Sequence, residues 1–272
     1  MRVRSYGTLG PQVVVLHGGP GAPGHMAPVA RGLADSFRII EPFQRGSGTE
    51  PLTVSRHVGD LHEVIQFRCG TGRPALVGSS WGAMLALCYA AEHPQFAGPL
   101  VLIGCGTFDR VSRARMQETL HDRMDENLKR QLERLTDEFA DPDDQLKARA
   151  ELILPLYSYE LITSDQEIES CDARGHQETW DDMVRLQEAG VFPATFSSIK
   201  VPVLMLHGAF DPHPGQLVLE SLRPYLPQIE YHEWDRCGHY PWLEKAVRED
   251  FFSLLRAWLH VASLKFRYTC DP

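Results

Sequence analysis

Zinc-ligand spacing, membrane-length apolar runs and an excess of basic charge are all missing from this 272-residue chain. Its six cysteines, Cys69, Cys88, Cys105, Cys171, Cys237 and Cys270, form no C-x-x-C pair and no cluster with histidine, so a zinc module is not expected. Several lie in apolar stretches, where a free thiol behaves as a small hydrophobe, and the setting this implies is a reducing cytoplasm. No apolar run approaches the ~20 residues that cross a bilayer. The opening Met1-Arg2-Val3-Arg4-Ser5-Tyr6-Gly7 has no apolar stretch of the signal-peptide kind. A net charge of −9 argues against a nucleic-acid partner, which calls for a basic patch. No repeat array interrupts a composition of 43% hydrophobic and 23% charged residues, ordinary for a globular fold.

What is present is unevenly distributed. Residues 107–195 hold 21 Asp and Glu against 11 Lys and Arg, whereas the rest of the chain is almost balanced. Before this acidic segment, short aliphatic runs recur at Val13-Val14-Val15-Leu16, Phe37-Arg38-Ile39-Ile40, Ala75-Leu76-Val77 and Leu100-Val101-Leu102-Ile103. Bounded by Gly or Pro, they read as parallel strands buried on both faces. Helical stretches are expected between them, near 24–34, 53–68 and 80–92. Strand–helix alternation implies an α/β fold with a parallel sheet and right-handed crossovers. From about Asp109 to Ala194 the pattern becomes polar and helix-favouring, punctuated by Pro142, Pro155 and Pro193. It returns to strands at 203–206 and 229–234, with a last helix expected from Glu244 to about His260. The organisation predicted is a core domain of residues 1–106 and 198–272 and a helical cap domain of residues 107–197.

Gly78-Ser79-Ser80-Trp81-Gly82 follows a strand and opens a helix, matching G-x-S-x-G. Such a sharp turn strains the serine backbone and lifts its hydroxyl clear of the sheet, and the helix N-terminus favours developing negative charge. Ser80 is therefore the candidate nucleophile, with Ser79 the rival at a less suitable position. His17-Gly18-Gly19-Pro20-Gly21 follows the first of these strands. A glycine turn there supplies backbone N–H groups for an oxyanion, and Gly19 and Trp81 are the expected donors. A nucleophilic serine needs a base, and the base an orienting acid, in the chain order Ser, Asp, His. Asp211 follows the strand at 203–206 and His239 follows the next, so both reach the sheet edge where such sites gather. His207 and His213 flank Asp211 but lack the Gly-His placement after the last strand.

HGGPG at 17–21, QRGSG at 44–48, GSSWG at 78–82, Asp211 and Gly238-His239 together resemble the α/β-hydrolases, and among them the proline iminopeptidases. The resemblance implies a mostly parallel sheet flanked by helices with a helical cap insertion, and a serine hydrolase acting through Ser80, Asp211 and His239. It implies no metal and no organic cofactor, and a small-molecule or short-peptide substrate. In that family, acidic cap residues bind the substrate's free amine. Two departures stand out: Ser79 replaces the usual Gly or His before the nucleophile, and Gly208-Ala209-Phe210-Asp211 replaces a GRYD-type segment. The alternatives are a carboxylesterase-type hydrolase without peptidase activity and, from another class, a non-catalytic ligand receptor on a hydrolase scaffold.

Overall fold

A computed structural model describes residues 1–21, 23–162 and 170–270, the side chains of 266–270 excepted. Its centre is a seven-stranded sheet of β1 (Val3–Tyr6), β2 (Gln12–Leu16), β3 (Arg38–Pro42), β4 (Ala75–Ser79), β5 (Leu100–Ile103), β6 (Val203–Gly208) and β7 (Ile229–Trp234). The spatial order is β1-β3-β2-β4-β5-β6-β7; β1 pairs antiparallel with β3 and every other pairing is parallel. Runs such as Val13–Leu16 are wholly buried because successive side chains point to opposite faces and both faces are covered. Val14, Leu16, Leu76, Leu102 and Met205 pack toward α2 (Val54–Cys69), α3 (Trp81–Glu92) and α8 (Gly215–Leu222). Their neighbours Val13, Val15, Val77, Val101 and Leu206 pack toward α1 (Ala27–Leu33) and α9 (Arg248–Cys270). Helix α3 is apolar all round, as a helix enclosed on every side must be, and only its last two residues escape full burial.

Between β5 and β6 lie α4 (Arg110–Arg123), α5 (Glu126–Glu138), α6 (Pro142–Tyr157) and α7 (Ala173–Glu188). Each opens on an aspartate, Asp109, Asp125, Asp141 and Asp172, whose carboxylate accepts an N–H of the first turn. Part of the acidic excess is thus helix capping. Pro142 stands at the first position of α6, where a missing N–H costs nothing, and Pro155 sits in its last turn.

Two expectations are corrected. The last helix begins at Arg248 rather than Glu244, because Glu244 is fully buried and its carboxylate is occupied by backbone N–H groups of other segments. That helix also runs beyond His260, to Cys270. Strand β1 had no counterpart among the expected strands: it is a short, half-buried edge strand without an aliphatic run.

Candidate active site

The turn from β4 into α3 has the strain its sequence predicts. Ser80 adopts φ 53° and ψ −118°, left-handed values that a side chain rarely takes, and its N–H donates to Ile103 O at 2.8 Å. The flanking glycines are required by close approach. A Cβ on Gly78 would lie 2.2 Å from Gly82 O, and one on Gly82 would lie 2.3 Å from Leu16 O.

Asp211 is buried in the turn just past the end of β6. Its Oδ2 accepts from His239 Nδ1 at 2.6 Å, and its Oδ1 accepts from both the backbone N and the Nδ1 of His213 at 2.9 Å. A third imidazole, His207, lies 3.4 Å from Oδ2 and donates its Nε2 proton to His213 O at 3.0 Å. Burial alone would raise the Asp211 pKa, but His239, His213 and His207 around it hold the carboxyl well below its usual range. An ionised carboxylate only accepts, so Nδ1 of His239 carries a proton, and in the neutral ring Nε2 is the nitrogen with the lone pair. The backbone of His239 is fixed as well, donating to Tyr157 O at 2.7 Å. The rings of His239 and His213 stack with centroids 4.8 Å apart.

Ser80, His239, His213 and Gly19 all line one cavity of about 520 Å³, within the size range of small-molecule sites. The sheet edge forms one wall. Met116 from α4, Ile153 from α6 and Trp180 from α7 form the opposite one.

The glycine loop after β2 is held by a buried polar network. Gln44 donates its backbone N–H to His17 Nε2 at 3.1 Å and its side-chain amide to His17 O at 3.0 Å, while its Oε1 accepts from Trp81 Nε1 at 2.7 Å. Burial lowers the His17 pKa to about 4, so the ring is neutral and its Nδ1–H is the donor to Gly18 O. The Gly18 N–H is engaged by His25 Nε2 at 3.3 Å.

Polar straps join the helical insertion to this edge. Glu244 Oε1 accepts from Gly238 N at 2.9 Å and Tyr159 N at 2.8 Å, and Oε2 from Glu160 N at 2.6 Å. The segment after α6 is thereby tied to the loop that carries His239. Arg123 reaches across from α4 to Leu156 O at 2.6 Å and Phe210 O at 2.8 Å, beside Asp211. On α7, Glu178 and Asp182 accept from Leu52 N and Val54 N, both at 2.8 Å, where a negative charge suits the start of α2.

The structure thus brings Ser80, Asp211, His239, Gly19 and Trp81 to one edge. Sequence reasoning set His213 aside, named Gln44 only within QRGSG and gave Glu244 no role in the site. The D-x-H spacing and the Glu five residues after His239 were the signals available, but their meaning depends on distant partners. Among the described residues, Asp211, His213 and His239 also form a group whose potential ligand atoms lie within 4.8 Å of one another. Here both imidazole Nδ1 atoms are bonded to the carboxylate instead. Burial pushes the Cys88, Cys105 and Cys237 thiols up, keeping them protonated and poorly nucleophilic. No described helix is long and apolar enough to cross a membrane.

Residues 11–246 match the family described as the α/β hydrolase fold. The chain belongs to that family, and it is a hydrolase. It is similar to a proline iminopeptidase of Lactobacillus helveticus, with 26% identity over 273 residues, spanning 92% of this chain and 90% of the relative. The crystal structure of VinJ superposes with a TM-score of 0.68 at 18% identity, covering 96% of this α/β-hydrolase and 94% of VinJ. A thermophilic esterase from Thermogutta terrifontis does so with a TM-score of 0.64 at 20% identity, covering 96% and 93%. At such identities the two superpositions speak for the fold.

Proposed function

We propose that this α/β-hydrolase is a serine hydrolase that removes the N-terminal residue of short peptides, as its proline iminopeptidase relatives are named for doing. Ser80 is the nucleophile, His239 the general base and Asp211 the acid that orients it. The observation that carries this reading is the buried Asp211–His239 pair, 2.6 Å between heavy atoms, opening on the same cavity as a serine of strained backbone. In the proposed cycle His239 Nε2 takes the Ser80 proton as Oγ attacks the scissile carbonyl, and the N–H groups of Gly19 and Trp81 stabilise the oxyanion. His239 then protonates the departing amine. Water attacks the acyl-enzyme by the same route, releasing acid and free Ser80. Gly19 is preferred over Gly18 as the loop's donor because the Gly18 N–H already has His25 as its partner. Residues 107–197 act as the cap domain above the cavity, and the cytoplasm is the proposed setting.

Peptidase activity is favoured over simple esterase activity by similarity along nearly the whole chain and by Asp181, a cap carboxylate lining the cavity, suited to a free amine. The aliphatic character of Met116, Ile153, Leu154 and Val184 in the same wall favours the second reading, a carboxylesterase. Proline-p-nitroanilide and p-nitrophenyl acetate, assayed side by side with Ser80→Ala as control, separate them. Ser80-dependent anilide cleavage is expected, with turnover lost by at least ~10⁴-fold in the variant. Ester cleavage alone would remove the peptidase reading, and activity surviving in Ser80→Ala would remove the nucleophile.

A further inference from the structure

We infer that Arg113 is a binding site for a substrate carboxylate, so that the preferred substrate is a very short peptide with a free C-terminus. The inference rests on the peptidase reading above and adds the far end of the substrate to it.

Among the described residues, Arg113 is the one arginine or lysine lining the cavity that contains Ser80, and no described carboxylate pairs with it. Its neighbours on α4 behave differently: Arg110 pairs with Glu188 and Arg115 with Glu118, both on the exposed surface. Arg113 is half-buried and is steered by an uncharged partner instead. Its Nη2 donates to Gln187 Oε1, and the same Gln187 amide donates to Thr107 O at 3.0 Å. Thr107 lies on the stretch between β5 and α4 and itself faces the cavity. Two helices and a loop therefore fix the orientation of a guanidinium while leaving its charge unneutralised. A cation arranged this way has a strong claim to an anionic partner, since the guanidinium fork matches a carboxylate bidentately.

The cavity also supplies the complementary charge. Asp181, one helical residue beyond Trp180, is the one carboxylate of the described lining, and it accepts only from Gln177 Nε2 at 2.7 Å. A cavity with one cation on α4 and one anion on α7, with Ser80 in its wall, has the polarity of a zwitterion. A dipeptide carries both charges and is small enough for the volume; a long peptide places its carboxylate elsewhere and gains nothing from Arg113.

The test compares Pro-Ala with Pro-Ala-amide, which differ only in the terminal charge, in wild-type protein, Arg113→Gln and Arg113→Lys. Each protein is scored by the ratio of its two kcat/KM values, so that any general loss of activity or fold cancels. Wild type is expected to favour the free acid by roughly tenfold or more, through KM, as a charge-assisted hydrogen bond allows. The ratio should fall close to one in Arg113→Gln and be partly retained in Arg113→Lys, which keeps a charge without the fork. Cleavage of both peptides with no preference in wild type, or an equal ratio in wild type and Arg113→Gln, overturns the carboxylate site and leaves the peptidase standing. Absence of Ser80-dependent cleavage of either peptide overturns both.

Discussion

The sheet core and the helical insertion are held together by different physics. Helix α3 buries nearly every residue it has, whereas α4, α5 and α6 each bury a single residue and α7 three. The core is stabilised by apolar area removed from water. The insertion depends far more on directed polar contacts: an aspartate at the start of every helix, Glu178 on the Leu52 N–H just before α2 and Asp182 on the Val54 N–H at its first position, Arg123 on the Asp211 loop, and Glu244 beneath residues 159 and 160. One further link is buried, between His57 Nε2 on α2 and Thr179 Oγ1 on α7 at 3.0 Å. The difference separates two tasks. The residues proposed for the chemistry stand on elements that packing makes rigid. Those proposed to meet the substrate stand on elements whose attachment is a small set of replaceable contacts.

If that division is right, changes on the core side should act on kcat. The largest effect is expected for Asp211→Asn, which leaves the shape but offers His239 Nδ1 an amide and disturbs its tautomer. A fall in kcat of about 10⁴ with little change in KM is expected from steady-state assays, and a change confined to KM would refute the orienting role. Glu244→Gln probes the seam between the two regions. An amide keeps one acceptor oxygen but turns a donor toward a backbone N–H, with an expected cost of about 1–3 kcal/mol in thermal or denaturant unfolding. Because Gly238 precedes His239, kcat should fall about tenfold as well. Lost stability with unchanged kcat would show that the strap serves the insertion alone.

The smallest effect is that of pH, and it orders the two regions. Burial lowers the pKa of His17 and of His57 to about 4, below the ordinary 6.5. The unfolded chain therefore takes up these protons first, and stability drains away as pH falls from about 6.5 toward 4. On the insertion, burial works against Asp172 ionising, but the N–H groups of Gly175 and Ser47 more than offset it and hold its carboxyl below the usual range. The backbone N–H of Leu52 and the guanidinium of Arg174 hold the Glu178 carboxyl below its usual range as well. These contributions, with that of Asp211, are present above the ordinary carboxylate pKa and are lost only as pH falls through the lowered values. Melting temperatures measured from pH 7 to 4 should decline first through the histidines, and His57→Gln should flatten that first decline.

The legibility of the molecule follows the same division. Val13–Leu16, Ala75–Val77, Leu100–Ile103 and 203–206 could be read as strands because burial on both faces writes an unbroken aliphatic run into the sequence. Val3–Tyr6 could not, since an edge strand carrying Arg4 has no such signature. The Asp211 and His239 positions were legible from chain order after successive strands. His213 was not: its hold on Asp211 Oδ1 and its stacking on His239 arise from a turn geometry that D-P-H does not announce. Glu244 misled the helix boundary for the same reason, since its three N–H partners lie six to 85 positions away in the chain.

Strands β5 and β6 are immediate neighbours, with Ile103 beside Leu206, although α4 to α7 intervene in sequence. The sheet asks only that the two ends of this excursion meet. The entropy of closing a loop grows with the logarithm of its length, about 0.6 kcal/mol for each doubling, so a longer, shorter or unrelated excursion would leave the pairing almost undisturbed. That makes the β5–β6 crossover a natural site for exchanging modules. A lineage, or a protein engineer, can change what such a hydrolase admits without rebuilding the sheet that cuts.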